Sequence, residues 1–180
     1  MMMLVCLRRS RRLLASRSFS SRLKRYSVVG RGEGCWSRCV TGGGSVVVTD
    51  TPRSDGGGGS AAEPVETLLS ALIGCEQATA HFVSRMLRPR LRIDRIEFLL
   101  EAERDTAGSS HLPVTVTPPV AAALKCIKGS AKVHVKDPAT PADIHRLGDI
   151  VAKRCPVAAL LNCPLHIDWI LADDNDDETK

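Results

Sequence analysis

Leu68, Leu72, Cys75, Thr79, Phe82 and Met86 recur three or four positions apart between Pro64 and Pro89. Only an α-helix brings such a spacing to one face. Leu69, Ile73 and Val83 widen that face, so the spacing predicts a substantially buried helix. Pro64 fits the first turn, where a missing N–H costs nothing. Pro89 disfavours helical backbone just before it and ends the pattern. A long helix with an apolar face needs a surface to lie on, and the rest of the chain supplies strands.

Two short strands are expected at 34–40 and 45–50, joined by the hairpin turn Thr41-Gly42-Gly43-Gly44. Residues 53–62 are Gly- and Ser-rich and read as a loop. Alternation of apolar and polar residues predicts strands at 91–102 and 124–135, and a last one at 165–171. Pro113, Pro118 and Pro119 make 104–120 a loop or an irregular edge. Thr140-Pro141-Ala142-Asp143 has the form of a helix start, with Thr as N-cap, Pro at the first position and Asp at the third. That second helix carries Ile144, Leu147, Val151, Cys155 and Ala158 on one face, and its pattern runs on to Leu161. Pro156 lies inside it and is expected to bend the helix at Cys155, at a cost of about 3 kcal/mol. Strands, long helix, strands, long helix, strand is the order of an α+β domain, with helices against an antiparallel sheet. There is no internal repeat.

The net charge of +5 is unevenly spread. Residues 1–26 hold seven Arg and Lys24 with no acidic residue; the other 17 basic residues face 20 acidic ones, so the body carries about −3. A nucleic-acid partner inferred from the overall basicity would be an artefact of the N-terminus. Aromatic residues are too scarce, at 3%, for a platform on which bases stack. No apolar run approaches the ~20 residues of a membrane-spanning helix. The acid-free, Arg- and Ser-rich composition of 1–26 is that of a mitochondrial transit peptide for the matrix, with cleavage expected after Phe19 or, as second choice, Tyr26. The folded domain is then expected over 27–172, with an acidic, disordered tail at 173–180. In a reducing compartment the seven cysteines are free or catalytic thiols and not a structural disulfide framework.

Each long helical pattern carries a cysteine on its apolar face, Cys75 and Cys155. A cysteine so placed is ordinarily a small core residue whose thiol resists ionisation. Here Gly74 clears space beside Cys75, and Pro156 interrupts a helix at Cys155. Cys35 and Cys39 lack a Cys-x-x-Cys spacing, and no two histidines stand at ligand spacing, so neither a metal nor a cofactor is expected. Cys126 and Cys163 read as core or edge thiols, with Cys163 a spare resolving thiol at most. His81 reads as a structural or surface residue.

The segment from Glu63-Pro64-Val65-Glu66 through Ile73-Gly74-Cys75 resembles the first signature of the OsmC/Ohr family. Val48-Thr49-Asp50-Thr51-Pro52 followed by Gly57-Gly58 is similar to the family's Asp-x-Pro and Gly-Gly segment. Lys153-Arg154-Cys155-Pro156-Val157 is similar to its Cys-Pro-Val signature. Val65, where Ohr-type members have glutamate, places the chain nearer the OsmC-like branch. The resemblance covers roughly residues 38–171. It implies an OsmC-like fold: an intertwined homodimer with two central cysteine-bearing helices. It also implies a thiol peroxidase acting on organic hydroperoxides. Cys75 would be the attacking thiol and Cys155 the resolving one, joined by Glu66 and by an activating arginine, Arg38 first and Arg31 second. The implied reductant is a small dithiol or a lipoylated protein. The alternative is the same fold without catalysis: a redox-sensing, stress or accessory binding protein.

Overall fold

The computed structural model describes residues 23–173. The expected transit peptide, except for its last residues, and the acidic tail from residue 174 lie outside them. Two three-stranded sheets and two long helices make up the domain. Strands β1 (Val28–Glu33), β2 (Trp36–Thr41) and β3 (Val46–Thr49) form an antiparallel meander. Strands β4 (Ile93–Arg104), β5 (Leu124–Val135) and β6 (Leu165–Leu171) form the second sheet in that order. β4 and β5 pair antiparallel; β6 joins β5 in parallel, as a crossover through a helix allows. Helix α1 (Pro64–Met86) precedes β4, a one-turn helix α2 (Ala107–Ser110) follows it, and α3 (Pro141–Ala152) crosses from β5 to β6. α1 packs on α3 and β4, and α3 packs on β6, whereas β1–β3 pack mainly on one another.

Both helices start where the sequence predicts. Pro64 is the first residue of α1, and the Glu66 carboxylate accepts a hydrogen bond from the Glu63 N–H at 2.8 Å. At α3 the Thr140 hydroxyl accepts from the Asp143 N–H at 3.3 Å, and Asp143 accepts from the Thr140 N–H at 2.9 Å. The strands at 124–135 and 165–171 fall as expected, and the hairpin turn at 41–44 is present, with Gly44 at φ 85°. β1 was not expected. Every one of its residues is exposed, so no alternation marks it, and Gly30 and Gly32 disguise it as a loop.

The second helix is shorter than the sequence predicts. α3 stops at Ala152, and Cys155 lies in the turn beyond it. The N–H groups of Arg154 and Cys155 both donate to the carbonyl of Val151, closing the helix tightly. Pro156 is the reason: it disfavours helical backbone at Cys155, and the chain ends the helix early instead of bending it. A short 3-10 turn at Ala158–Leu160 accounts for the apolar residues that prolonged the pattern.

The buried side of α1 also differs from the expected one. Leu72, Glu76, Ala80, Val83 and Ser84 are buried, while Phe82 and Met86 are 48% and 59% exposed. Within one chain the core takes the stripe roughly one residue round from Cys75, Thr79, Phe82 and Met86. One apolar cluster joins Ala80 and Val83 to Ala131 and Val133 of β5, Ile144, Leu147 and Val151 of α3, and Trp169 of β6. Gly148 lets α3 approach the Trp169 ring: a Cβ there would stand 2.5 Å from ring carbons. A second, smaller cluster holds Leu72, Ile127 and Cys155. No helix of the described residues is long and apolar enough to cross a membrane.

Candidate active site at Cys75 and Cys155

The smaller cluster is where the two signature cysteines meet. Cys75 is half-buried in the middle of α1, and Cys155 is 1% exposed in the turn after α3. Packing of α1 on α3 brings Cys75 against the cluster that holds Cys155, and Cys75 and Glu76 both act on the Cys155 thiol. Burial pushes the Cys155 thiol up to about 12, and its neighbours Cys75 and Glu76 add to this, while the Ala158 N–H, donating to the Cys155 sulfur at 3.5 Å, opposes it. Cys155 is therefore a protonated thiol at neutral pH. Cys163 packs at the rim of the same cluster, with Leu69, Leu161 and Leu165.

Cys75 opens outward. It lines a cavity of about 440 Å³ together with Tyr26, Ala78, Thr79, Phe82, Arg154 and Pro156. The walls are mainly apolar, and Arg154 is the cation among them. Gly74 has open space where a side chain would be, consistent with the room the sequence implied.

The other two expected site residues stand elsewhere within one chain. Glu66 caps the first turn of α1, nine residues and ~13 Å of helix rise from Cys75. Arg38 is exposed on β2, paired in register with Arg31 on β1. Neither lines the cavity at Cys75. Sequence reasoning passed over Arg154 and Glu76. Arg154 adjoins a signature cysteine, and Glu76 falls in the stripe Leu72, Glu76, Ala80, Val83, where a carboxylate among apolar residues was the available signal.

The Asp50 segment is architectural. The Asp50 carboxylate, 2% exposed, accepts from the Ser60 N–H at 3.0 Å and hydroxyl at 2.8 Å, and from the N–H groups of Thr51 and Gly58. Those donors, Ser60 first, hold it down to about 2. Gly57 allows the loop to close, since a Cβ there would sit 2.0 Å from the Thr51 carbonyl oxygen. The Asp50 N–H donates to the Ala62 carbonyl, so the loop delivers the chain directly to the start of α1. Among the described residues no cluster of three or more His, Cys, Asp or Glu side chains is arranged to hold a metal.

An α+β domain whose two signature cysteines share one apolar cluster, one of them lining a mainly apolar cavity, defines a class of cysteine-bearing domain. The family model for OsmC-like protein matches residues 57–170, and the chain belongs to that family. Among solved structures it is similar to an OsmC-like protein from Mycoplasma pneumoniae, at 20% identity and TM-score 0.65, over 83% of this chain and 99% of that one. It is similar to an organic hydroperoxide resistance protein OsmC from Legionella pneumophila, at 14% and 0.60, over 85% and 100%. The organic hydroperoxide resistance protein OhrB of Bacillus subtilis matches at 14% and 0.55, over 83% and 98%. At these identities the likeness is one of fold. No curated protein matches the chain.

Proposed function

We propose that the protein is a thiol-dependent peroxidase that reduces organic hydroperoxides. The observation that carries this is that Cys75, lining a mainly apolar cavity, packs against the cluster that holds Cys155. An alkyl or aryl hydroperoxide suits walls made by Ala78, Thr79 and Phe82 better than hydrogen peroxide does. The Cys75 thiolate attacks the O–O bond, the alcohol leaves, and Cys75 becomes a sulfenic acid. Cys155 then condenses with it, forming the disulfide and releasing water. A small dithiol or a lipoylated protein restores both thiols. Arg154 is the cation that lines the cavity with Cys75 within the chain; Arg38 and Glu66 reach the site only across a dimer.

That dimer is part of the proposal. The Cys75, Thr79, Phe82, Met86 stripe of α1 is left partly open in one chain, and a second copy of the chain covers it. The N-terminal residues direct the protein to mitochondria, so deleting 1–26 from a reporter fusion should abolish its import.

Single-turnover oxidation tests the activity. Cumene hydroperoxide should convert two thiols to a disulfide, seen by mass. Cys75→Ser should abolish peroxide consumption, and Cys155→Ser should leave one turnover and a trappable sulfenic acid on Cys75. An unreacted wild-type protein would leave the non-catalytic, redox-sensing role instead.

A further inference from the structure

One ionisable group in the core has no part in the steps above. Glu76 is 2% exposed, and its Oε1 has no hydrogen-bond partner. It directly follows Cys75 on α1; Leu72, one turn earlier on the same buried stripe, packs with Cys155, and Glu76 acts on the Cys155 thiol. Roughly 100° of helix rotation separates the two residues, so they open on different sides. Cys75 lines the apolar cavity with Phe82 and Arg154. Glu76 lines a separate cavity of about 550 Å³ between α3 and β6, with no residue in common between the two. The titratable groups on the Glu76 side are His145 and Asp149 of α3 and His166 and Asp168 of β6; His166 and Asp168 pair at 2.9 Å.

Disulfide formation needs this kind of group. Cys155 is a buried thiol that holds its proton, yet its sulfur can attack only as the proton leaves. Beside that cluster, the buried carboxylate that acts on the Cys155 thiol is Glu76. We propose that Glu76 is the proton-transfer residue of the resolving step, taking the Cys155 proton as its sulfur attacks the Cys75 sulfenic acid. This rests on the peroxidase reading. The S–H bond of Cys155 breaks and its proton passes to Glu76. The S–S bond forms with the electron pair so released, and the S–O bond of Cys75 breaks. The hydroxide departs through the cavity at Cys75 and takes a proton from water, while Glu76 gives its proton to water on its own side, so that one water is formed overall and Glu76 returns to its carboxylate form. The Cys75 sulfur is reduced and the Cys155 sulfur oxidised by the same count, so no further reactant is required. Burial raises the Glu76 carboxyl above the ordinary glutamate range, with the Cys155 thiol partly opposing, which makes it a better base than an exposed glutamate once ionised.

The two half-reactions separate this role from a structural one. In Glu76→Gln, cumene hydroperoxide should oxidise Cys75 at the wild-type rate, with the sulfenic acid trapped by dimedone. Disulfide formation should slow by about 100-fold. In the wild type that second step should fall as pH is lowered through the raised glutamate range; in Glu76→Gln it should lose this dependence. Glu76→Asp, which keeps the carboxylate, should restore part of the rate, and it also controls for misfolding of the amide variant. A Glu76→Gln protein that forms the disulfide at the wild-type rate overturns the proposal. A second arm needs no hydroperoxide. In a background with Cys35, Cys39, Cys126 and Cys163 replaced by Ser, Ellman's reagent places a thionitrobenzoate on Cys75, and Cys155 expels it with a change in absorbance. Slower expulsion in Glu76→Gln upholds the proton-transfer role even if the wild type proves inert to hydroperoxides; equal expulsion sinks it.

Discussion

Gly148→Ala probes the contact that sets the height of α3 over the second sheet. The added Cβ would stand 2.5 Å from the Cγ and Cδ1 of Trp169 and 3.0 Å from its Nε1. Ordinary carbon contacts lie at ~3.5–4.0 Å, so ring and helix must separate by about 1 Å. The ring has little freedom to yield: Trp169 is 6% exposed and meets Phe98 edge-on at 6.0 Å between centroids. Overpacking costs about 1–3 kcal/mol, and an overlap of about 1 Å with a ring that cannot yield falls in the upper part of that range, about 2–3 kcal/mol. Replacing Gly by Ala inside a helix recovers about 1 kcal/mol, which leaves a net loss of about 1–2 kcal/mol. For a chain of this size that lowers Tm by about 3–6 °C. Thermal unfolding followed by circular dichroism reads the loss, and tryptophan fluorescence reports the displaced indole. Because Cys155 follows α3 by three residues, the same shift should slow disulfide formation with Cys75. An unchanged or raised Tm would refute the packing argument.

Asp50→Asn removes a carboxylate that four donors hold at a low pKa. A folded value of about 2 lies below the unfolded one near 3.8, so the stabilisation is complete above the unfolded value and is lost as pH falls toward 2. The wild type should therefore lose stability across that window in acid denaturation, and Asp50→Asn should be less stable at neutral pH and flatter through the window; parallel curves would refute this. Phe82→Arg puts a charge on the open face of α1 and should give a monomer by light scattering, whereas a retained dimer would move the interface elsewhere. Leu72→Ala empties a fully buried site beside Cys155 and should cost about 2–5 kcal/mol, measured by urea unfolding. Arg154→Leu should slow the oxidation of Cys75 by hydroperoxide and leave Tm within a few degrees, with Arg154→Lys recovering part of the rate.

The elements with a local cause were legible in the sequence. Pro64, the Thr140–Asp143 cap, the glycine hairpin turn and the alternation in β5 each act within a few residues. The two cysteines stood out in the sequence because Gly74-Cys75 and Cys155-Pro156 carry their contexts beside them, and the fold brings them to one cluster. Tertiary structure decided the rest. Periodicity shows that α1 has an apolar side but not which part of a broad stripe meets the core, and packing on α3 and β4 chose Leu72, Glu76 and Ala80 over Phe82 and Met86. The early end of α3 came from competition between an apolar pattern and one proline, which backbone sterics won. The candidate site joins positions 80 residues apart, Cys75 and Cys155, and only the folded chain shows that Arg154 shares the cavity of one and that buried Glu76 acts on the thiol of the other. Charge and burial act through space, and a carboxylate reads as a surface residue until the helices that bury it are in place.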